Sequence, residues 1–364
     1  TAKKILLNAF DMNCVGHINH GLWTHPNDQS HRFDELSYWT DLAKTLEKGL
    51  FDGLFIADIT GSYDVYQNGL DLTLRESIQL PSHDPTTLVS AMAAVTEHLG
   101  FGITVNLGYE NPYQFARRFA SLDHLTRGRI GWNIVTGYLD SAARLVGQAG
   151  LADHDLRYAQ AEEFLQLCYK FWEGSWQDDA IQKDKVKRIF TDPSKVHVVN
   201  HHGQFYQSQG VFQVAPSIQR TPMLFQAGAS PKGLDFATQH AEAMFIGGES
   251  IEKARQQVNK IRQLALEQGR HAEDIKIFVG ITVVTAETDA LAEQKFAEYQ
   301  CYANPEAGIA HFSSSVGIDL SQYREDEAIP YQPTNSIASV NQRFKEQKIT
   351  LKDSVRDTYL VGLA

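Results

Sequence analysis

The sequence predicts an α/β protein, a TIM (β/α)8 barrel with long insertions, from three observations. Seven short apolar runs recur along the 364 residues, and segments with helical spacing of apolar residues lie between them. The runs are apolar on both faces, which is typical of parallel strands covered by helices. Polar or small residues follow most runs, as expected where the carboxyl ends of barrel strands face a ligand.

The first half of the chain supplies four predicted strands and three helices. The strands are at 4–10, 51–57, 100–106 and 128–137, and the helices at 33–48, 84–98 and 111–124. The last strand contains Asn133 and Thr136 where it ends, with Gly128 and Gly131 leaving room for another backbone or a flat ligand. A core strand with a polar end and the edge of a ligand site are both open interpretations.

The second half supplies three more strands, at 222–227, 243–246 and 275–282, and helices at 157–172, 250–267 and 287–301. We predict one domain over 1–364, with insertions at about 11–32, 59–84, 174–221 and 303–358. The third insertion should carry a hairpin around His202-Gly203. The last strand–helix unit is missing: Tyr359–Leu363 could begin a strand, but the sequence stops at Ala364. We expect a truncated sequence, because an open seven-stranded barrel leaves two unpaired edges.

Composition argues against several functions. The formal net charge, 33 − 44 = −11, leaves no basic surplus for phosphates, so neither a nucleic-acid nor a membrane partner is expected. Three dispersed cysteines without C-x-x-C predict no disulfide framework and a cytoplasmic location. His17 and His20 share a loop, but the strand ends lack a matching carboxylate–histidine set, so no metal site is predicted.

The segment Gly228-Ala229-Ser230-Pro231 follows a predicted strand and opens a helix. Backbone N–H groups at a helix start, together with the Ser230 hydroxyl, suit a phosphate group. A plain turn with Ser230 as N-cap explains the same residues equally well. No G-x-G-x-x-G occurs, so a Rossmann-type nicotinamide site is not expected.

Seven long segments together resemble one known family: 8–23, 51–58, 91–102, 122–144, 192–197, 219–230 and 310–321. Nearly the whole chain is similar to the flavin-dependent monooxygenases of the bacterial luciferase superfamily. Within that superfamily, it resembles the branch with nitrilotriacetate, dibenzothiophene-sulfone, dimethyl-sulfide and long-chain alkane monooxygenases. The resemblance implies a single luciferase-like barrel domain with FMN lying across the strand ends.

The resemblance assigns FMN binding to Asp58, Asn106, Thr136, Gly137, His154, Tyr158, Gly228, Ala229 and Ser230. His154, Tyr158 and Ser230 would hold the phosphate, in agreement with the cradle at 228–230. Thr136 and Gly137 would lie beside the isoalloxazine ring. Asn106 departs from the more usual Ser or Thr, although an amide can still hydrogen-bond the ring or the ribityl chain.

The resemblance assigns catalysis to His17, Tyr63, Gln79, Tyr138 and His311, which would steady the peroxide and steer proton transfer. Reduced FMN would react with O₂ to a C4a-(hydro)peroxyflavin and oxygenate a small apolar or organosulfur substrate, namely a long-chain alkane, sulfide or sulfone. Tyr138 replaces the histidine of the alkane enzyme, which weakens an alkane assignment. Each residue is also open to interpretation as an ordinary loop or packing residue.

The resemblance further implies a separate NAD(P)H:FMN reductase and a homodimer or homotetramer. Only Arg32 and Arg75 in the loops 11–32 and 59–84 could bind carboxylates, so polycarboxylate substrates are disfavoured. Three alternatives stay open: a deazaflavin-dependent oxidoreductase of the same fold, a non-catalytic flavin-binding barrel, and a metal-dependent hydrolase.

Overall fold

The computed structural model describes residues 4–228, 230–248, 250–337, 343–345 and 349–352. The strands are β1 (Asn8–Met12), β2 (Gly53–Ala57), β3 (Gly100–Asn106), β4 (Ile130–Val135), β5 (Ile181–Asp184), β6 (Ile189–Thr191), β7 (Val198–His202), β8 (Gln207–Val211), β9 (Met223–Gln226), β10 (Ala243–Ile246) and β11 (Lys276–Val279). Seven form one sheet in the order β1-β2-β3-β4-β9-β10-β11, and every neighbouring pair is parallel. The other four form two antiparallel hairpins between β4 and β9.

Ten α-helices occur in the described part of the chain. They are α1 (Leu36–Lys48), α2 (Asp71–Arg75), α3 (Val89–Ala94), α4 (Pro112–Thr126), α5 (Asp140–Leu145), α6 (His154–Trp172), α7 (Pro231–His240), α8 (Ile251–Glu267), α9 (Asp289–Tyr302) and α10 (Pro305–Val316). Side chains cap several of them: Asn111 accepts backbone N–H bonds at the start of α4, and Asp153 does so for α6. None of the helices described is long and apolar enough to cross a membrane.

Alternation along β4 places two different environments on the two faces of the sheet. Trp132 points outward, where its ring packs between Phe115 and Phe164 of the helices α4 and α6. Gly131 points inward and lies against the ring of Phe225. The close approach predicted at Gly131 is therefore made by a side chain of β9.

The inner face of the sheet is lined by phenylalanines from successive strands. The ring of Phe55 lies 5.3 Å from Phe10, 5.7 Å from Phe225 and 4.5 Å from Phe245, measured between centroids, and Phe278 lies 5.7 Å from Phe245. Such contacts fill the interior with rigid apolar groups. Phe55 and Phe225 are buried within this group, so the interior beside β2 and β9 is apolar, as expected where polar chemistry lies at the strand ends.

The strands β3 and β10 have the predicted bounds, but the other five strands of the main sheet are shorter than predicted, most clearly β1 and β11. β1 starts at Asn8 and not at 4, because its partner β2 begins to pair only at Gly53. β11 ends at Val279 and not at 282, because β10 offers no pairing residue beyond Ile246. An apolar run thus exceeds the strand when its neighbour is shorter.

The helix predicted at 84–98 is also shorter, with a 3₁₀ turn at Pro85–Leu88 and α3 ending at Ala94. The backbone N–H groups of residues 97–99 donate to the carboxylate of Glu47 and not to helix carbonyls. The hairpin predicted around His202-Gly203 is confirmed as β7–β8, whereas β5–β6, α2 and α5 were not predicted. Tyr359–Leu363, proposed as an eighth strand, lies outside the described residues.

The guanidinium of Arg129 ties the start of β4 to the segment between α3 and β3. It donates to the carbonyls of Thr126, Leu99, Ala93 and Thr96 and to the Thr96 hydroxyl, at 2.9–3.1 Å. Lysine cannot reproduce this set, because an ammonium offers three donors from one point.

We therefore expect Arg129→Lys to lower the free energy of unfolding by about 1.5–3 kcal/mol, the usual contribution of hydrogen bonds to a charged group. Urea denaturation followed by circular dichroism measures the change. The exposed Arg127 provides the control, since Arg127→Lys should change stability by less than about 0.5 kcal/mol. Equal midpoints for the two variants would contradict the role given to Arg129.

Candidate active site

Two helix starts meet beyond the carboxyl ends of β4 and β9. His154 and Tyr158 lie in the first turns of α6, and Ser230 is the N-cap of α7. The Ser230 hydroxyl lies 3.3 Å from Nε2 of His154 and accepts the backbone N–H of Gly233 at 3.0 Å. The predicted phosphate residues are therefore gathered in one place, where both helix dipoles favour an anion.

The remaining predicted cofactor residues flank this cluster. Gly228 packs against Gly233, while Ala229 lies outside the described residues. The Thr136 side chain lies near the Tyr158 hydroxyl and helps to lower the pKa of that phenol against the effect of burial, so the end of β4 is close to α6. Gly137 follows Thr136.

The side chain of Asn106 makes a structural contact of its own. Its side-chain oxygen accepts the backbone N–H of Gly108 at 3.0 Å and so caps a short 3₁₀ turn. Its nitrogen Nδ2, beside Gly137, is the atom left to contact a ligand. Asn106, which stands where Ser or Thr is more usual, thus stabilises the start of the 3₁₀ turn.

Buried polar atoms near this cluster test whether a flavin fits. Oδ1 of Asn133 and Oε1 of Gln226 have no hydrogen-bond partner within the described ranges, although these residues are only 6% and 3% exposed. Their strands are neighbours, and Nε2 of Gln226 lies 3.5 Å from the Tyr158 hydroxyl. Unpaired buried acceptors are costly, and the N–H and hydroxyl groups of a flavin nucleotide are donors of the kind they lack.

Two carboxyl groups near the ends of β1 and β2 have raised pKa values. Burial, and next the charge of Asp84, raise the pKa of Asp58 to about 7. Burial also raises the pKa of Asp11 to about 6. The pKa of the Cys14 thiol rises to about 12 through burial and the charges of these two carboxylates. Cys14 is therefore a neutral thiol and not a nucleophile.

The second cluster contains the predicted catalytic residues and is joined by hydrogen bonds between neutral groups. The hydroxyl of Tyr63 donates to Oε1 of Gln79 at 2.6 Å and lies 3.1 Å from the hydroxyl of Tyr138, which also bonds Ser315. Burial raises the pKa of both phenols, so both stay protonated. The ring of His311, on α10, lies 4.3 Å from that of Tyr63.

The histidines of this cluster make different contacts from one another. His311 is hydrogen-bonded to His20, with 2.9 Å between Nδ1 of His311 and Nε2 of His20. His17 instead places its ring against Phe10, at 4.7 Å between centroids. Burial lowers the pKa of His17 and His20 to about 4 and that of His311 well below 6.5, so the imidazoles are neutral.

His20, which the sequence prediction did not single out for catalysis, also lies in this cluster. It is one of four histidines in the loop 11–32, and nothing in their local pattern separates it from the others. Its contact with His311 spans 291 positions of sequence. Within the described ranges, no three His, Cys, Asp or Glu side chains are arranged to hold a metal ion.

A parallel sheet with a polar cradle beyond its strand ends and an uncharged hydrogen-bonded cluster nearby is typical of a barrel enzyme with a nucleotide-type cofactor. Residues 14–357 match the luciferase-like monooxygenase family, and the chain belongs to that family. It is therefore a flavin-dependent monooxygenase, as predicted, and FMN is confirmed as the predicted cofactor.

Individual relatives agree with this assignment. The chain is 47% identical to the dimethyl-sulfide monooxygenase of Hyphomicrobium sulfonivorans, over 99% of this chain and 76% of that protein. It is 49% identical to the long-chain alkane monooxygenase of Geobacillus thermodenitrificans, over 90% and 74%. A solved riboflavin lyase with modified FMN superposes with a TM-score of 0.92 at 37% identity, covering 99% of this chain and 80% of that one. The predicted barrel fold class is confirmed.

The raised pKa of Asp58 predicts a pH-dependent cost to folding. The unfolded carboxyl ionises near 3.8 and the folded one near 7, so the folded state loses stability as pH rises between these values. Relative to the wild type, Asp58→Asn should gain about 2–4 kcal/mol of unfolding free energy between pH 4 and pH 8, since each pKa unit is worth about 1.4 kcal/mol.

Urea titrations of the flavin-free protein at the two pH values measure this gain. Asp34→Asn, at an exposed position, is the matched control and should show no such difference. A pH-independent difference between Asp58→Asn and the wild type would show that folding does not raise the pKa of Asp58.

Proposed function

We propose that this monooxygenase works in the cytoplasm with a separate NAD(P)H:FMN reductase and inserts one oxygen atom of O₂ into a small, uncharged apolar or organosulfur molecule. The observation that carries the proposal is the uncharged hydrogen-bonded pocket of Tyr63, Gln79, Tyr138 and His311. A phosphate-type cradle lies at His154, Tyr158 and Ser230.

The predicted cofactor residues are proposed to hold FMN: Asp58, Asn106, Thr136, Gly137, His154, Tyr158, Gly228, Ala229 and Ser230. When bound in its reduced form, FMN supplies the two electrons that O₂ activation needs. Ser230, Tyr158 and His154 offer hydroxyl and imidazole groups to the phosphate. The unpaired oxygens of Asn133 and Gln226 add two acceptors for cofactor donors.

The pocket residues have two proposed tasks. Apolar burial around Tyr63 and Tyr138 excludes water, which otherwise competes with the oxygenation. The neutral imidazoles of His17 and His311 each carry one donor and one acceptor nitrogen, so they can hold or pass a proton without a fixed charge. Gln79 fixes the direction of the Tyr63 hydroxyl by accepting its hydrogen bond at Oε1.

The charge of the pocket supports an uncharged substrate. The guanidinium of Arg32 is engaged by Glu35 at 2.9 Å, and the Arg75 side chain is exposed next to Glu76. Among the described contacts, neither guanidinium touches Tyr63, Gln79, Tyr138 or His311. The dimethyl-sulfide and long-chain alkane relatives act on uncharged molecules, as their names state, and we propose the same substrate class here.

The partner proposals rest on relatives. A protein named nitrilotriacetate monooxygenase component A is 33% identical over 87% of this chain and 70% of its own length, and the name indicates a second component. We propose that a reductase has that role here and delivers reduced FMN. Assembly as a homodimer or homotetramer is proposed from the family resemblance.

Rapid mixing of the protein and reduced FMN with oxygenated buffer tests the function. We expect an absorbance transient distinct from reduced and oxidised FMN that decays more slowly than any seen with free FMN. With a flavin reductase and NADH present, dimethyl sulfide, dibenzothiophene sulfone or a long-chain alkane should yield an oxygenated product. The protein and NADH without reductase should yield none.

Oxidation of the flavin at the free-solution rate without a transient would overturn the proposal. Tight binding of a deazaflavin together with hydride transfer would favour the alternative oxidoreductase. Stable FMN binding without product from any of the three substrate classes would favour a flavin-binding barrel.

Ser230→Ala should weaken FMN binding about tenfold, which corresponds to about 1.4 kcal/mol, by removing one hydroxyl from the phosphate cradle. Fluorescence titration with FMN gives the dissociation constant. Ser250→Ala is a matched control, because Ser250 caps α8 by accepting the backbone N–H of Lys253 in the same way that Ser230 caps α7. Equal FMN affinity for the two variants would remove Ser230 from the cofactor site.

A further inference from the structure

The contact between His20 and His311 joins two insertions that the barrel alone would leave apart. His20 lies in the loop 11–32, and His311 lies on α10 in the last insertion. Their nitrogens Nε2 and Nδ1 are 2.9 Å apart, and the ring centroids are 5.0 Å apart. The separation of the nitrogens is that of a direct hydrogen bond.

The backbone next to His20 is fixed to the same helix. The carbonyl of His20 accepts the backbone N–H of Asn304, the N-cap of α10, at 2.9 Å. Gly21 has φ +93°, and a Cβ there would overlap the carbonyl of Tyr302 and lie 2.6 Å from the backbone nitrogen of Asn304. Only glycine meets both demands. His20 is therefore positioned against α10 by its backbone as well as by its ring.

Two neutral imidazoles that share one hydrogen bond cannot choose their tautomers independently. If Nδ1 of His311 donates to His20, Nε2 of His311 carries a lone pair. If Nε2 of His20 donates, Nε2 of His311 carries the proton. The groups that face His311 and depress its pKa after burial are His20 and His17, and the ring of Tyr63 covers it from the segment 59–84.

We propose that His20 is a positioning residue that sets the tautomer of His311, and so decides whether Nε2 of His311 accepts or donates a proton during oxygenation. This inference rests on the proposed function, in which His311 handles a proton in the pocket. His17 has no such role, because its ring packs against Phe10.

The test compares His20→Phe, His20→Gln and the wild type. Phenylalanine removes the hydrogen-bonding nitrogen, whereas the amide of glutamine can donate or accept at the same place. Nitrogen-15 NMR of protein labelled at histidine reports the tautomer of His311, with His311→Phe used to assign its signals. We expect a changed Nδ1 and Nε2 pattern in His20→Phe and its return towards the wild type in His20→Gln.

The second readout is the fraction of NADH converted to oxygenated product and not to hydrogen peroxide, measured with the reductase present. His20→Phe should lower this fraction about tenfold, less than the loss typical for a general acid or base itself. KM and FMN affinity should stay within about twofold, and His20→Gln should recover most of the loss. His31→Gln, an exposed residue of the same loop, should match the wild type.

An unchanged His311 tautomer in His20→Phe would overturn the inference, even if activity falls. Equal losses in His20→Phe and His20→Gln would also overturn it, since they would indicate a steric role. If no substrate gives product with the wild type, the proposed function fails, and the NMR comparison alone decides the inference. Urea midpoints of the variants identify any general loss of folding.

Discussion

Parallel pairing of the seven main strands is the constraint on which the rest of the structure depends. It places the ends of β1, β2, β3, β4 and β9 at one edge, so each following loop starts from the same side of the sheet. The interior below that edge is filled by phenylalanine rings. Polar side chains are therefore gathered above the sheet, where Thr136 meets Tyr158 and Ser230 meets His154.

Burial at that edge shifts the pKa of several ionisable groups towards the neutral form. It raises the pKa of Asp58 and of the two phenols, and it lowers the pKa of the pocket histidines. No single residue accounts for the lack of charge in the pocket. A neutral pocket cannot hold an anionic substrate through ion pairs, which is why the electrostatics bear on substrate class as well as on proton transfer.

The periodic part of the fold could be predicted from sequence, because the local spacing of apolar residues is enough to indicate β3, β10 and the amphipathic helices. Strand ends could not, since the end of β11 depends on how far β10 continues. The cradle at Ser230 was visible as a strand–turn–helix pattern. The pairing of His20 with His311 was not, because two segments 291 positions apart must fold before the partners meet.

The two clusters differ in what builds them, and this difference bears on how substrates are chosen. The cradle of Tyr158 and Ser230 comes from helices that follow the main strands. The neutral cluster comes mostly from long connecting segments, with His20 between β1 and α1, Tyr63 between β2 and α2, and His311 on α10, whereas Tyr138 directly follows β4. Substitutions in an insertion can therefore change the pocket without moving the cradle. This division agrees with the general rule that one fold hosts different reactions through the loops placed on it.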